Sequence, residues 1–390
     1  MSNFRRRLMQ SLNGILTKIS GELPLLLKNA KNKELQNYTI YGNCTQESTP
    51  TIDTPVEVKE TGDLTNNILV NNLVPGATGT VAGVNYTVNK DLSVSLKGKT
   101  TGTFSLRLSG KWNNPNTILT FKAGKKYTLA GRVGNFYVSM YKTGSTSPYV
   151  KTLALNPIII TPTENINIGD IYIDCSVKNV GSEIDDTIYP VCVEDYLSYV
   201  PDYEPYGKYK IPVKITCGDN EQKTNIYLES SIIKIGDVSD YIDFKNQKIY
   251  RKNYKSTISS GGNYVISGTS SSPNRLAIYN ALNAYKKAKG SSKQLCKYIP
   301  CVNWASNNSN LGFYASVRTL YINNPNFTTA DDYKEWLDSL EGLLFYYQLA
   351  DDCVYEEDII MPKITLFNGD CTFDIVTEIK PSKAEVEYWR

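Results

Sequence analysis

From residue 37 onward the chain is written in short apolar runs broken by Gly, Asn, Pro and Thr, with turn residues every eight to twelve positions. Val81–Val88, Leu92–Leu96, Phe104–Leu108, Thr117–Phe121, Tyr127–Leu129, Asn135–Tyr141 and Ile168–Cys175 read as strands. That spacing predicts an antiparallel sandwich or jelly roll. Period two places Leu92, Val94 and Leu96 on one face of their strand, and Phe104, Leu106 and Leu108 likewise. Upstream the period is different. Phe4, Leu8, Leu12, Ile15, Ile19 and Leu23 recur at spacings of four, four, three, four and four, which is one stripe of a helix. Gly14 interrupts it, and Gly21 and Pro24 end it. A lone helix gains little from propensity, so this stripe needs either the chain's own core or an attachment or oligomerisation partner.

After the Tyr- and Pro-dense run Tyr196–Tyr206 the pattern mixes. Strands are expected at Tyr209–Cys217, Asn225–Leu228, a turn-linked pair within Ile232–Arg251, Leu343–Leu349, Ile364–Phe367, Phe373–Val376 and Val386–Trp389. The Ser/Gly-rich stretch Ser256–Asn274 reads as a loop or exposed hairpin. Leu276, Tyr279, Leu282 and Tyr285, closed by Gly290, predict a helix over Leu276–Lys289. A second helix is predicted over Thr329–Leu340, with Thr328 or Thr329 as cap and Asp331 and Asp332 at its N-terminal end. Tyr333, Trp336, Leu337 and Leu340 share its apolar face, and Gly342 stops it. The expected organisation is therefore mainly β: an N-terminal helical segment (1–36), a sandwich or jelly roll (37–206) and a smaller, strand-rich α+β domain (207–390).

Composition narrows the chemistry. The chain has 390 residues, eight Cys and no His, so Ser-His-Asp, Cys-His and HExxH systems are all excluded. With 42 basic and 39 acidic residues its net charge is +3, too small for the counterion-release term that drives nucleic-acid binding. The cysteines are scattered without a CxxC pair, which removes a zinc ribbon, and most sit in apolar runs that predict buried thiols. Asn13, Thr17, Lys18, Ser20 and Glu22 break any export signal. No apolar run approaches a membrane span. Synthesis in a cytoplasm without membrane insertion is the expectation. Gly76–Gly83 lacks the Lys-Ser/Thr of a P-loop, and no cofactor or metal is expected. Glycoside hydrolysis needs only two carboxyls. However, Asp185/Asp186, Asp331/Asp332, Asp351/Asp352 and Glu356/Glu357/Asp358 read as turns, a helix start and solvated loops, so enzymatic activity is not expected. For sugar contact the candidates are Trp112 in its polar loop, Tyr137 and Tyr141 on one strand face, and Trp304; core packing is the plainer role for each. The rings of Tyr196–Tyr206 are a further stacking candidate.

Dispersed stretches carry a resemblance. Tyr38-Thr-Ile-Tyr-Gly-Asn-Cys-Thr-Gln-Glu-Ser-Thr-Pro-Thr-Ile-Asp-Thr-Pro-Val-Glu-Val58, Tyr203-Glu-Pro-Tyr206, Ile235-Gly-Asp-Val-Ser-Asp-Tyr-Ile-Asp-Phe-Lys-Asn-Gln-Lys-Ile249 and Pro381-Ser-Lys-Ala-Glu-Val-Glu-Tyr388 occur in that order. Together they resemble the phage and prophage minor tail or baseplate proteins of Firmicutes. Cys44 stands where Ser is common in that family, and Leu64–Leu69 replaces a frequent Gly-Lys-Asn-Leu-Leu. The resemblance implies a virion structural component of the tail tip, baseplate or tail fibre. It further implies a homo-oligomer, a trimer by expectation, with other tail proteins as neighbours. It implies a jelly-roll module similar to carbohydrate-binding folds, directed at host surface polysaccharide, and no catalytic residues. A tail-associated glycan hydrolase and a bacterial surface adhesin are the competing functions.

Overall fold

The computed structural model describes residues 25–30 and 37–387, apart from 132–135, 153–156, 176–179, 260, 262–264, 270–271, 291–292, 303–310, 328, 341, 360–363 and 365–368. The stripe Phe4, Leu8, Leu12, Ile15 and Ile19 lies outside the described residues, as does Trp304. What is described is mainly β, with antiparallel sheets throughout and one α-helix, Ala330–Ser339. Contacts divide it into two units: an outer one built from residues up to Asp63 together with those from Lys210 onward, and an inserted one, Leu64–Tyr209.

The inserted unit carries the sandwich pattern. Its largest sheet runs Leu119–Phe121, Ile166–Cys175, Phe136–Lys142, Pro148–Lys151, with Ser105–Gly110 also paired to Ile166–Cys175. A four-stranded sheet (Glu183–Ile188, Val94–Lys99, Val84–Val88, Thr78–Val81) and a three-stranded one (Ile158–Ile160, Tyr127–Ala130, Val191–Val193) complete it. One core joins all three. Val84, Val94, Leu96, Leu106, Leu108, Phe121, Leu129, Phe136, Val138, Met140, Ile171, Ile173 and Ile188 bury their side chains in it, as alternation requires of half-buried strands. Phe104 and Phe136 meet edge-on at 4.9 Å between centroids, the arrangement ring quadrupoles favour. Leu92, in a left-handed turn at φ 64, starts the strand one residue pair later than expected, yet it is buried with Val94 and Leu96. The Tyr203–Tyr206 run ties the two ends of the unit together. Glu204 accepts a hydrogen bond from the Asn66 N–H at 2.8 Å, and the Thr65 hydroxyl donates to the Pro205 carbonyl at 2.8 Å.

In the outer unit the stretches Tyr38–Val58, Ile235–Ile249 and Pro381–Tyr388 meet in one sheet. Asn37–Tyr41 pairs on one side with Tyr241–Asp243 and on the other with Lys383–Glu387, in a sheet completed by Lys248–Arg251 and Tyr355–Asp358. Residues 37–63, expected within the sandwich, thus belong with the second half of the chain, because their hydrogen-bonding partners lie there. A buried Asp240 fastens this sheet. Its Oδ1 accepts from the N–H groups of Lys252 and Asn253 at 2.8 and 2.9 Å and its Oδ2 from that of Ile233 at 3.2 Å. Arg251 Nη1 lies 3.5 Å away, and Arg251 also donates to the carbonyls of Ser230 and Ser231 and to Glu357. A second layer comprises Asn253–Ile258, Leu343–Gln348 and Gln294–Cys296 beside Val265–Thr269, Ser272–Tyr279, Thr319–Asn323 and Gly312–Ser316. The helix packs Tyr333, Trp336 and Leu337 onto their common core.

The helix expected over Leu276–Lys289 is absent. Leu276, Ala277 and Ile278 are consecutive and all buried, which suits a strand flanked on both sides and not a one-sided helix. Asn280, at φ 58, turns the chain out of that strand. Ser256–Asn274, expected as a loop or exposed hairpin, supplies parts of three strands, two of which, Val265–Thr269 and Ser272–Tyr279, pair as an antiparallel hairpin. The helix at Ala330–Ser339 forms as read, with Thr329 and Asp332 in a reciprocal capping box. Free thiols hold for Cys192, Cys296 and Cys353, all buried, and for half-buried Cys44 and Cys301. Cys217 and Cys371 instead form a disulfide, because strand register places them directly opposite each other, Cα atoms 4.1 Å apart.

Candidate functional site

The outward face of the five-stranded sheet in the inserted unit gathers the polar and aromatic side chains that alternation keeps out of the core. Register orders them in rows across the strands. One row holds Gly110, Asp170, Tyr141 and Pro148; the next Arg107, Tyr172, Ser139 and Lys151; the third Ser105, Asp174 and Tyr137.

Gly169 creates this face. The pairing of Tyr141 with Asp170 and of Lys142 with Ile168 skips it, so Gly169 is a bulge that reverses the alternation. Ile166 and Ile168 reach the core before it and Ile171 and Ile173 after it, which leaves Asp170, Tyr172 and Asp174 outward. A Cβ at Gly169 would stand 2.8 Å from the Asn114 carbonyl oxygen. At the row's end a Cβ on Gly110, whose φ is 80, would come within 2.0 Å of the Gly169 carbonyl and 2.9 Å of Asp170 Oδ1. Glycine there makes room for the carboxylate.

Trp112 projects from the loop after Ser105–Gly110 and is 54% exposed. Its ring centroid lies 6.0 Å from that of Tyr141 and 6.4 Å from that of Tyr172, and the two tyrosines are 5.4 Å apart in edge-on contact. The loop is clasped to the sheet from below. Asn114 Nδ2 donates to the Gly169 carbonyl at 2.9 Å, and the Asn113 and Asn114 backbone N–H groups stand by the Asp170 carboxylate and favour its charge. Arg107 donates through Nε and Nη2 to the Tyr172 hydroxyl at 3.0 and 2.8 Å. Its Nε is 3.9 Å from Asp170 Oδ1, beyond hydrogen-bonding distance.

Two buried polar atoms on this face have no hydrogen-bond partner: Asp170 Oδ1 and Ser139 Oγ. Asp170 is 1% exposed and Ser139 fully buried. Burial raises the Asp170 carboxyl above the ordinary range, against the pull of the Asn114 N–H, Arg107 and the Asn113 N–H. Burial likewise raises the hydroxyls of Tyr141 and Tyr172. Asp174 accepts from the Ser105 hydroxyl at 2.7 Å.

Of the residues singled out from sequence, Trp112 and Tyr141 come together here, and neither belongs to the core. Tyr137 shares their sheet face but is buried, with Lys151 Nζ 4.0 Å from its ring centroid, so the cation occupies that ring face. Arg107, Asp170, Tyr172 and Ser139 were not singled out. Period two places Tyr172 with Asp170 and Asp174 on one face of Ile166–Cys175, but only the bulge at Gly169 turns that face outward, and Arg107 and Ser139 join it from neighbouring strands through register alone. In the Tyr196–Tyr206 run, Tyr196 and Tyr199 are exposed, Lys126 Nζ sits 5.2 Å from the Tyr196 ring, and Tyr203 donates its hydroxyl to the Asp91 carbonyl.

The acidic clusters have cationic or capping partners. Asp185 pairs with Lys97, Asp351 with Lys289, Asp352 with Lys287, and Glu356 and Asp358 with Lys248. Glu357 meets Arg251, Asp331 meets Lys334, and Asp332 completes the helix cap. Among the described residues no group of three His, Cys, Asp or Glu side chains is placed to hold a metal ion. No described helix is long and apolar enough to cross a membrane. No protein-family model, curated protein or solved structure matches the chain.

Proposed function

We propose that the chain is a structural subunit of a phage tail tip, baseplate or tail fibre whose inserted unit contacts host surface polysaccharide. The observation that carries the contact is the face formed by Trp112, Tyr141, Tyr172, Arg107 and Asp170. It joins an exposed indole, which offers a flat apolar surface to sugar C–H groups, to buried polar atoms that lack partners. Such atoms are costly to leave unmade, and ligand hydroxyls repay that cost. The tail assignment rests on the resemblance. That its stretches Tyr38–Val58, Ile235–Ile249 and Pro381–Tyr388 contribute strands to one sheet supports reading them as a framework that carries an inserted binding unit.

A hydrolase is the weaker reading. Asp170 and Asp174, the two carboxylates on this face, lie four residues apart on one extended strand, about 13 Å at the rise of a strand. Retaining and inverting glycosidases both require a closer pair. On this reading the protein binds, works without a cofactor, and is assembled into particles after synthesis in the bacterial cytoplasm. Mass spectrometry and immunogold electron microscopy of purified particles test it. Label at the distal end of the tail is expected; absence of the chain from particles contradicts the assignment.

A further inference from the structure

The face that the proposed function assigns to glycan also constrains the charge of that glycan, and the argument rests on that assignment. Asp170 Oδ1 is a pure acceptor while its carboxyl is ionised, and Arg107 is a pure donor. Arg107 Nε stands 3.9 Å from Asp170 Oδ1, so the guanidinium and the carboxylate are neighbours that do not satisfy each other. Arg107 spends Nε and Nη2 on Tyr172, leaving Nη1 without a partner among the described residues. An anionic group, phosphate or uronate, only accepts: it meets Arg107 but conflicts with the ionised Asp170 carboxylate. An ammonium group only donates, and meets the converse conflict at Arg107. A hydroxyl does both. It can donate to Asp170 Oδ1 while accepting from Arg107. Within the three rows the charges are two of each sign, Arg107 and Lys151 against Asp170 and Asp174.

We propose that this face binds a neutral hexopyranose unit, stacked on Trp112, with adjacent hydroxyls bridging Asp170 and Arg107. The recognition is that of a vicinal diol, not of a charged polymer such as a polyol-phosphate chain.

Affinity gel electrophoresis of the full-length chain tests this. Gels are cast with neutral polysaccharides (dextran, mannan, galactan and a rhamnan) or with anionic ones (polyglycerol phosphate and hyaluronate). Retardation by at least one neutral polymer, undiminished by added salt, is expected. Arg107→Lys keeps the charge but loses the planar fork, and is expected to weaken retardation roughly tenfold. Trp112→Ala, at an exposed ring, is expected to abolish it without affecting folding. Retardation only by the anionic polymers, falling with salt, overturns the neutral-sugar inference while sparing the glycan-binding reading. Retardation by none of them, in a chain shown to be folded, overturns both. Neutral-sugar binding that survives Arg107→Lys and Asp170→Asn unchanged overturns the assignment of the bridge.

Discussion

Arg251→Met separates two parts of the outer unit's energetics that the wild-type chain keeps together. Arg251 is buried, 2% exposed, and faces Asp240, which is fully buried. The substitution keeps much of the apolar stem and removes hydrogen bonds to Ser230, Ser231 and Glu357. It also removes the charge opposite Asp240, leaving the backbone N–H groups of Ile233, Lys252 and Asn253 and the Asn253 amide to hold the carboxylate. Breaking a buried pair on one side costs about 3–5 kcal/mol. This cost depends on pH. Burial pushes the Asp240 carboxyl up to about 6, against the pull of Arg251 first and the N–H donors after it. The unfolded value is about 3.9. The folded state therefore binds the extra proton between those values. Asp240 contributes stability that is complete below about pH 4 and is lost as pH rises through about 6. Without Arg251 the folded-state value climbs further, so the loss runs on to higher pH. The destabilisation by Arg251→Met is accordingly largest at neutral pH. Near pH 4 it shrinks to the lost hydrogen bonds, about 1–3 kcal/mol. Urea titration read by hydrogen-exchange mass spectrometry on peptides from 248–258 isolates the outer unit from the inserted one. A penalty below about 1 kcal/mol at neutral pH, or one that is the same at both pH values, would refute the assignment of Arg251 as the counter-charge.

Other expectations follow from local geometry. Gly110→Ala forces a Cβ into the Gly169 carbonyl at a left-handed φ; a loss of about 2–4 kcal/mol in the inserted unit is expected by calorimetry, together with weakened polysaccharide retardation. Thr329→Ala removes the capping box of the helix Ala330–Ser339 and should cost about 1 kcal/mol, read as a lower urea midpoint with unchanged slope. Iodoacetamide followed by mass spectrometry should modify unfolded Cys217 and Cys371 only after reduction, whereas Cys44, Cys192, Cys296, Cys301 and Cys353 react on unfolding alone.

The sandwich and the capped helix were legible because each is a local signal: alternation in Phe104–Leu108 and Asn135–Tyr141, and Thr-x-x-Asp at Thr329–Asp332. The order in space was not. The pairing of Asn37–Tyr41 with Tyr241–Asp243 and Lys383–Glu387 spans most of the chain, and periodicity carries no information about partners. The helix predicted over Leu276–Lys289 rests on Leu276 and Tyr279 standing three apart, but Leu276, Ala277 and Ile278 are all buried and Tyr279 is exposed, the pattern of a strand end covered on both faces. At the candidate site Trp112 was visible as an aromatic in a polar loop. Arg107, Asp170 and Ser139 were invisible. They become neighbours only through strand register, and Asp170 faces outward only because Gly169 bulges. The Cys217–Cys371 pairing was hidden for the same reason, since the two cysteines are 154 residues apart in sequence.

The central claim is that the face under Trp112 is the chain's contact with host polysaccharide. Cosedimentation of the full-length chain with purified Gram-positive cell walls, comparing wild type with Trp112→Ala and with Tyr241→Ala on the outer unit's sheet, tests it most directly. Wild type and Tyr241→Ala are predicted to pellet with the walls, and Trp112→Ala to stay in the supernatant. Equal pelleting of all three, with folding intact, would contradict the claim.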